Sequence, residues 1–158
     1  MTLTTRLKLI LDTNIVLDWL VFNEPALQSL NDAVQKSDVL LYRHPTTLDE
    51  LRRVLNYPVL RLDTNRQSTV LTQYRSLTQG IPTPPDFSPQ NLLTPPGFPR
   101  CRDADDQLFV ALALHSRVDA LVSRDREVLA MRKRAAKYGV SILDIAEVNS
   151  ILLEGTSI

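Results

Sequence analysis

The chain has 158 residues, with 18 Lys plus Arg balanced by 18 Asp plus Glu. That length suits one domain, residues 1–158, with a proper core, and the zero net charge argues against nucleic-acid binding through bulk charge, leaving room only for a local basic patch. The one cysteine, Cys101, excludes an internal disulfide and suits a reducing compartment, and no apolar run approaches the roughly 18 residues that span a membrane.

Residues 1–6 contain no apolar signal segment, so the expected location is the cytoplasm. Lys8 to Leu11 reads as a buried strand of a parallel sheet, because its apolar residues run on without polar alternation. The run stops at Asp12-Thr13-Asn14, and an apolar helical segment, Ile15 to Phe22, follows at once. Asp12 is therefore expected at the carboxyl end of a central strand, the edge where open α/β sheets bind ligands. The bland alternative is that Asp12, Thr13 or Asn14 caps the next helix. Glu24 to Val34 has helical spacing, and Asp38 to Tyr42 reads as a second buried strand.

Pro45, Thr46 and Thr47 then open a helix that Asn56 and Pro58 end, with Leu48, Leu51, Val54 and Leu55 as its buried stripe. Glu50 falls on the margin of that stripe, while Asp49 and Arg53 point toward water. Asn65 to Gln79 is expected to be helical. Seven of the ten prolines lie between positions 82 and 99, so residues 81–100 read as a long irregular loop. Gln107 to His115 reads as a helix, preceded by Asp103-Ala104-Asp105-Asp106. Val118 to Val122 is a third strand, ending in Ser123-Arg124-Asp125-Arg126-Glu127. A helix over Val128 to Lys137, a turn at Gly139, a fourth strand Val140 to Leu143 and a last helix Ile145 to Leu153 complete the pattern. Strands alternating with helices imply a parallel sheet with helices on both faces.

Four acids stand out by position. Asp12 and Asp125 follow buried strands, Glu50 lies early in a helix after a strand, and Asp106 begins a helix after the proline-rich stretch. All four belong at one sheet edge, where converging carboxylates repel unless a cation is present. Mg²⁺ or Mn²⁺ takes such oxygen ligands, and can activate water for attack at phosphorus. Each acid also has a plainer role open to it. Thr47-x-x-Glu50 matches a capping box, Asp103 to Asp106 suits a helix N-terminus, and Asp125 can be an ordinary loop residue. The basic run Arg132-Lys133-Arg134 with Lys137 reads as a solvated face. Arg43 and His44 follow a strand and could meet a phosphate, whereas His115 is placed to pair with a helix C-terminus.

Leu11-Asp12-Thr13-Asn14, the segment Thr47 to Leu55, the segment Cys101 to Ala113 and the segment Ala120 to Leu129 together resemble, in order, the successive motifs of PIN domains. The likeness covers about residues 7 to 150 and is closest to the bacterial toxins of toxin–antitoxin modules. It implies a three-layer α/β/α sandwich and an Mg²⁺- or Mn²⁺-dependent ribonuclease. It assigns Asp12, Glu50, Asp106 and Asp125 as the four metal-binding catalytic acids, with Thr13 and Asn14 as supporting polar residues. The family often has glycine where this chain has Arg124, and aspartate where it has Glu127. The partners implied are single-stranded RNA as substrate and an antitoxin as a separate chain, with homodimerisation common in the family. Rival readings are a PIN-like RNA- or protein-binding module without chemistry, a structure-specific DNA nuclease, and a phosphoryl-aspartate enzyme. The last wants an aspartate two residues after Asp12, where Asn14 stands.

Overall fold

The structure, a computed structural model, describes residues 6–81 and 94–155. Five strands make one all-parallel sheet: β1 (Leu7–Leu11), β2 (Val39–Arg43), β3 (Thr78–Gly80), β4 (Ala120–Val122) and β5 (Ile142–Leu143), in the spatial order β3-β2-β1-β4-β5. Residue by residue, Leu9 pairs with Leu41 on one side and with Ala120 on the other.

β1 lacks polar alternation because both of its faces are buried. Leu9 and Leu11 join the core on one side of the sheet and Ile10 the core on the other. β4 divides likewise, with Ala120 and Val122 on the first side and Leu121 on the second. The first face is covered by α1 (Thr13–Leu20), α2 (Gln28–Gln35), α3 (Pro45–Leu55), α4 (Thr64–Leu77) and α8 (Ile145–Glu154). The second is covered by α5 (Ala104–Ser116), α6 (Arg126–Leu129) and α7 (Arg132–Ala136). The result is the expected three-layer α/β/α sandwich.

The chain builds outward from β1 through β2 to β3, then crosses back and adds β4 on the other side of β1. The carboxyl ends of β1 and β4 thus border the topological switch point, the crevice where open α/β sheets hold ligands. The Asp12 N–H still bonds to the Val122 carbonyl at 3.0 Å, which ties the two strand ends together.

Several elements differ from their sequence expectation, among them the helix expected over Glu24 to Val34, which is a 3-10 turn at Pro25–Leu27 followed by α2. Thr78–Gly80 is an edge strand rather than the end of the preceding helix, and Arg43 reaches over it to bond the Thr78 carbonyl and hydroxyl. Arg43 therefore ties β2 to β3 instead of presenting itself to a ligand. The helix expected over Val128 to Lys137 is two short helices, broken where buried Met131 turns into the core and bonds back to the Val128 carbonyl. The third and fourth expected strands start at Ala120 and Ile142, each two residues late. Much of the proline-rich stretch 81–100 lies outside the described residues. Of its described part, Phe98 is buried and meets Tyr138 edge to face. No helix among the described residues is long and apolar enough to cross a membrane.

Candidate active site

Asp12 ends β1 and caps α1. One carboxylate oxygen, Oδ1, accepts the Asn14 N–H at 2.8 Å, which satisfies a helix donor that would otherwise be orphaned. The other, Oδ2, accepts the Ser123 hydroxyl at 2.5 Å. Capping therefore occupies only half of this side chain. Asp12 is 5% exposed, and its burial raises its pKa, with the charge of Asp125 adding to the rise against the hydrogen bonds from Ser123, Asn14 and Ile15.

Glu50 is not part of a capping box. The N-cap of α3 is His44, whose Nδ1 accepts the Thr46 N–H while the Thr47 hydroxyl accepts the His44 N–H at 3.0 Å. That leaves the Glu50 carboxylate for the cleft, where its Oε2 accepts the Thr13 hydroxyl at 2.6 Å. Burial raises the Glu50 pKa, Asp105 and Asp12 raise it further, and the Thr13 hydrogen bond and Arg53 oppose them. Thr13 thus aligns the second acid from the residue next to the first. Asn14 contributes its backbone N–H, and its side chain is exposed.

At the start of α5 the capping role falls to Asp103, which accepts the N–H groups of Asp105 and Asp106. The half-buried Asp106 carboxylate takes no hydrogen bond from a described residue. Burial, followed by the charges of Asp125, Asp103, Asp12 and Glu50, pushes its pKa up to about 7. Asp125 caps α6 through the Glu127 N–H at 2.8 Å, and its charge is felt by both Asp12 and Asp106. Glu127 itself is exposed.

Ser123 belongs to the site although the sequence pattern did not single it out. It is wholly buried; its hydroxyl donates to Asp12 and accepts the Asp125 N–H at 3.1 Å. One side chain thereby ties the Asp12 carboxylate to the Asp125 backbone, across the ends of neighbouring strands. A hydroxyl directly after a buried strand, two residues before an acid, was the available signal. Cys101 lies nearby, but burial and the charges of Asp106, Asp125, Glu127 and Asp103 push its thiol up to about 12, which disfavours the thiolate.

The four acids are thus coupled by charge across one crevice. As placed, no three His, Cys, Asp or Glu side chains among the described residues close on one point as a metal cluster. The donor set nevertheless fits a hard divalent cation: all four side chains offer oxygen, and three carry pKa values raised by burial and mutual repulsion. Mg²⁺ commonly binds through one or two carboxylates and keeps several waters, so it does not require a closed protein cage.

The sequence profile of the PIN domain family matches residues 8–127. No curated protein matches the chain. Among solved structures, the crystal structure of PAE2754 from Pyrobaculum aerophilum superimposes with a TM-score of 0.57 at 17% identity, over 94% of this chain and 90% of that one. At that identity the likeness concerns the fold.

Proposed function

Because the chain belongs to the PIN domain family, whose members are generally nucleases and typically use divalent metals, we propose that it is an Mg²⁺- or Mn²⁺-dependent endoribonuclease acting on single-stranded RNA. The observation that carries this reading is the coupled set of acids at the switch point, above all Asp106, whose pKa is pushed up to about 7 by burial and then by the charges of Asp125, Asp103, Asp12 and Glu50, with no hydrogen bond to its carboxylate from a described residue. Asp12, Glu50, Asp106 and Asp125 would hold the cation. Once bound, it would supply water activation and neutralise charge at the phosphate.

The protein's own part is orientation. Ser123 fixes Asp12 against Asp125, Thr13 fixes Glu50, and the backbone N–H of Asn14 fixes the other Asp12 oxygen. Such partners hold the Asp12 and Glu50 carboxylates in place, so the cost of ordering them is met in folding rather than in each catalytic cycle. Hydrolysis of a phosphodiester needs no covalent enzyme intermediate.

The biological role we propose is that of a single-domain cytoplasmic toxin, neutralised by an antitoxin made as a separate chain. The support is the ordered likeness of four sequence segments to that bacterial branch. Two assays test the proposal. Purified protein should cleave a labelled single-stranded RNA in Mn²⁺ and stop in EDTA, and Asp106→Asn should remove at least a hundredfold of the rate while remaining folded. Induced expression should arrest growth for wild type and not for Asp106→Asn. Cleavage without growth arrest would refute the toxin role alone, whereas equal cleavage by wild type and Asp106→Asn would refute the enzyme.

A further inference from the structure

Along α3, the face that carries Glu50 continues into two further groups. Arg53 is the next residue but two, and Tyr57 follows seven residues after Glu50, just past the helix end. The Tyr57 N–H bonds back to the Val54 carbonyl at 3.0 Å, which holds Tyr57 against the end of the helix. Arg53 is half-exposed and donates from Nη2 to Oδ2 of Asp105 at 2.9 Å, and Asp105 is the immediate neighbour of Asp106. The tie therefore spans α3 and α5 beside two of the four acids. Tyr57 is 46% exposed, unusually open for an aromatic ring, and its hydroxyl neighbours the Arg53 guanidinium.

We propose that Arg53 and Tyr57 form a substrate subsite for single-stranded RNA, in which Arg53 holds a backbone phosphate next to the acids and Tyr57 stacks a base. This rests on the nuclease reading above. Its logic is electrostatic. The acids repel a polyanion, and Arg53 is a cation whose charge reaches Glu50. A chain of zero net charge cannot hold RNA by bulk attraction, so binding needs placed contacts. Guanidinium for phosphate and an open aromatic for a base are the two that single-strand binders use. In the free protein Asp105 occupies the guanidinium. An exposed pair of this kind is weak, so a phosphate, which matches the planar fork in two bonds, can displace it.

Asp105 is on this account a competitor of the substrate, which gives the test its sign. Binding of a fluorescent single-stranded RNA 12-mer is measured by anisotropy in EDTA, where the nuclease reading allows no turnover, and cleavage KM is measured separately in Mn²⁺. Arg53→Gln should weaken binding by roughly threefold to tenfold and flatten the salt dependence by about 0.7 in log–log slope, the value for one phosphate contact on a single strand. Asp105→Asn should tighten binding by a similar factor. Tyr57→Ala should weaken it, and Tyr57→Phe, which keeps the ring, should not. Arg52→Gln is the control: it lies on the same helix and carries the same charge, but pairs with exposed Asp49 at 2.9 Å. If Arg53–Asp105 is only a structural tie between α3 and α5, both of its variants shift binding in the same direction and the proposal falls. It also falls if Arg52→Gln weakens binding as much as Arg53→Gln. Opposite shifts for Arg53→Gln and Asp105→Asn in a protein that never cleaves RNA would retain the subsite and refute the nuclease.

Discussion

Ser123 carries no charge, yet it decides where two charges sit. Its hydroxyl spans Asp12 and the Asp125 backbone from a fully buried position. Replacing it by alanine removes both contacts and leaves the Asp125 N–H short of a partner. Ser123→Ala should therefore lower the rate of RNA cleavage by about tenfold to a hundredfold, the usual effect of losing a group that orients a metal ligand. The fold should survive, at a cost of about 1–3 kcal/mol. Chemical denaturation and cleavage rates on one preparation check both halves. The choice between Asp125 and Glu127 as fourth acid also belongs to single residues. Half-buried Asp125 presses on Asp12 and Asp106, while Glu127 is exposed. Asp125→Asn should abolish cleavage and Glu127→Gln should change it less than threefold. The reverse pattern would reassign the site.

At the scale of elements, α3 carries Glu50 and Arg53 and is held by few anchors. Leu51 and Leu55 are fully buried, and Leu48 and Val54 pack at the margin. Leu55→Ala should cost about 2–5 kcal/mol, the range for a large buried aliphatic truncated to alanine, with a lowered urea midpoint as readout. Elements of this kind were legible in the sequence because their burial is periodic. The continuous apolar runs at Leu9 to Leu11 and Ala120 to Val122 were legible for the opposite reason, since both sheet faces are covered. β3 was not legible: Thr78-Gln79-Gly80 has no apolar run and becomes a strand only by its ladder with β2. The capping box that was the plainer alternative at Thr47-x-x-Glu50 does not form, because His44, one residue before Pro45, supplies the cap itself. Asp12 and Asp125 could be placed after strands, and Glu50 and Asp106 early in helices, from order alone. Ser123's place after the strand was readable but not its partners, nor the Arg53–Asp105 pair, because which uncharged or exposed side chains meet across elements is decided by tertiary packing.

For the whole molecule, the cost of gathering acids is a matter of stability. The pKa of Asp106 is raised from 3.8 to about 7, and those of Asp12 and Glu50 shift the same way. The folded protein thus binds these protons more tightly than the unfolded chain. This contribution to stability is fully present below about pH 4 and is lost as pH rises through about 7. A cation that binds only the folded state acts in the opposite sense, adding about 2.7 kcal/mol at a hundred times its dissociation constant, which for a chain of this size is on the order of 5–10 °C in melting temperature. Asp106 tests this more cleanly than Asp12, whose carboxylate also caps α1. The decisive measurement is the thermal melt of wild type and Asp106→Asn at pH 8, in EDTA and in excess Mn²⁺. A cation-binding catalytic site predicts that Asp106→Asn melts above wild type in EDTA and gains much less from Mn²⁺. If Asp106→Asn melts no higher than wild type in EDTA, and Mn²⁺ shifts the two proteins equally, the acids at the switch point are not a metal site.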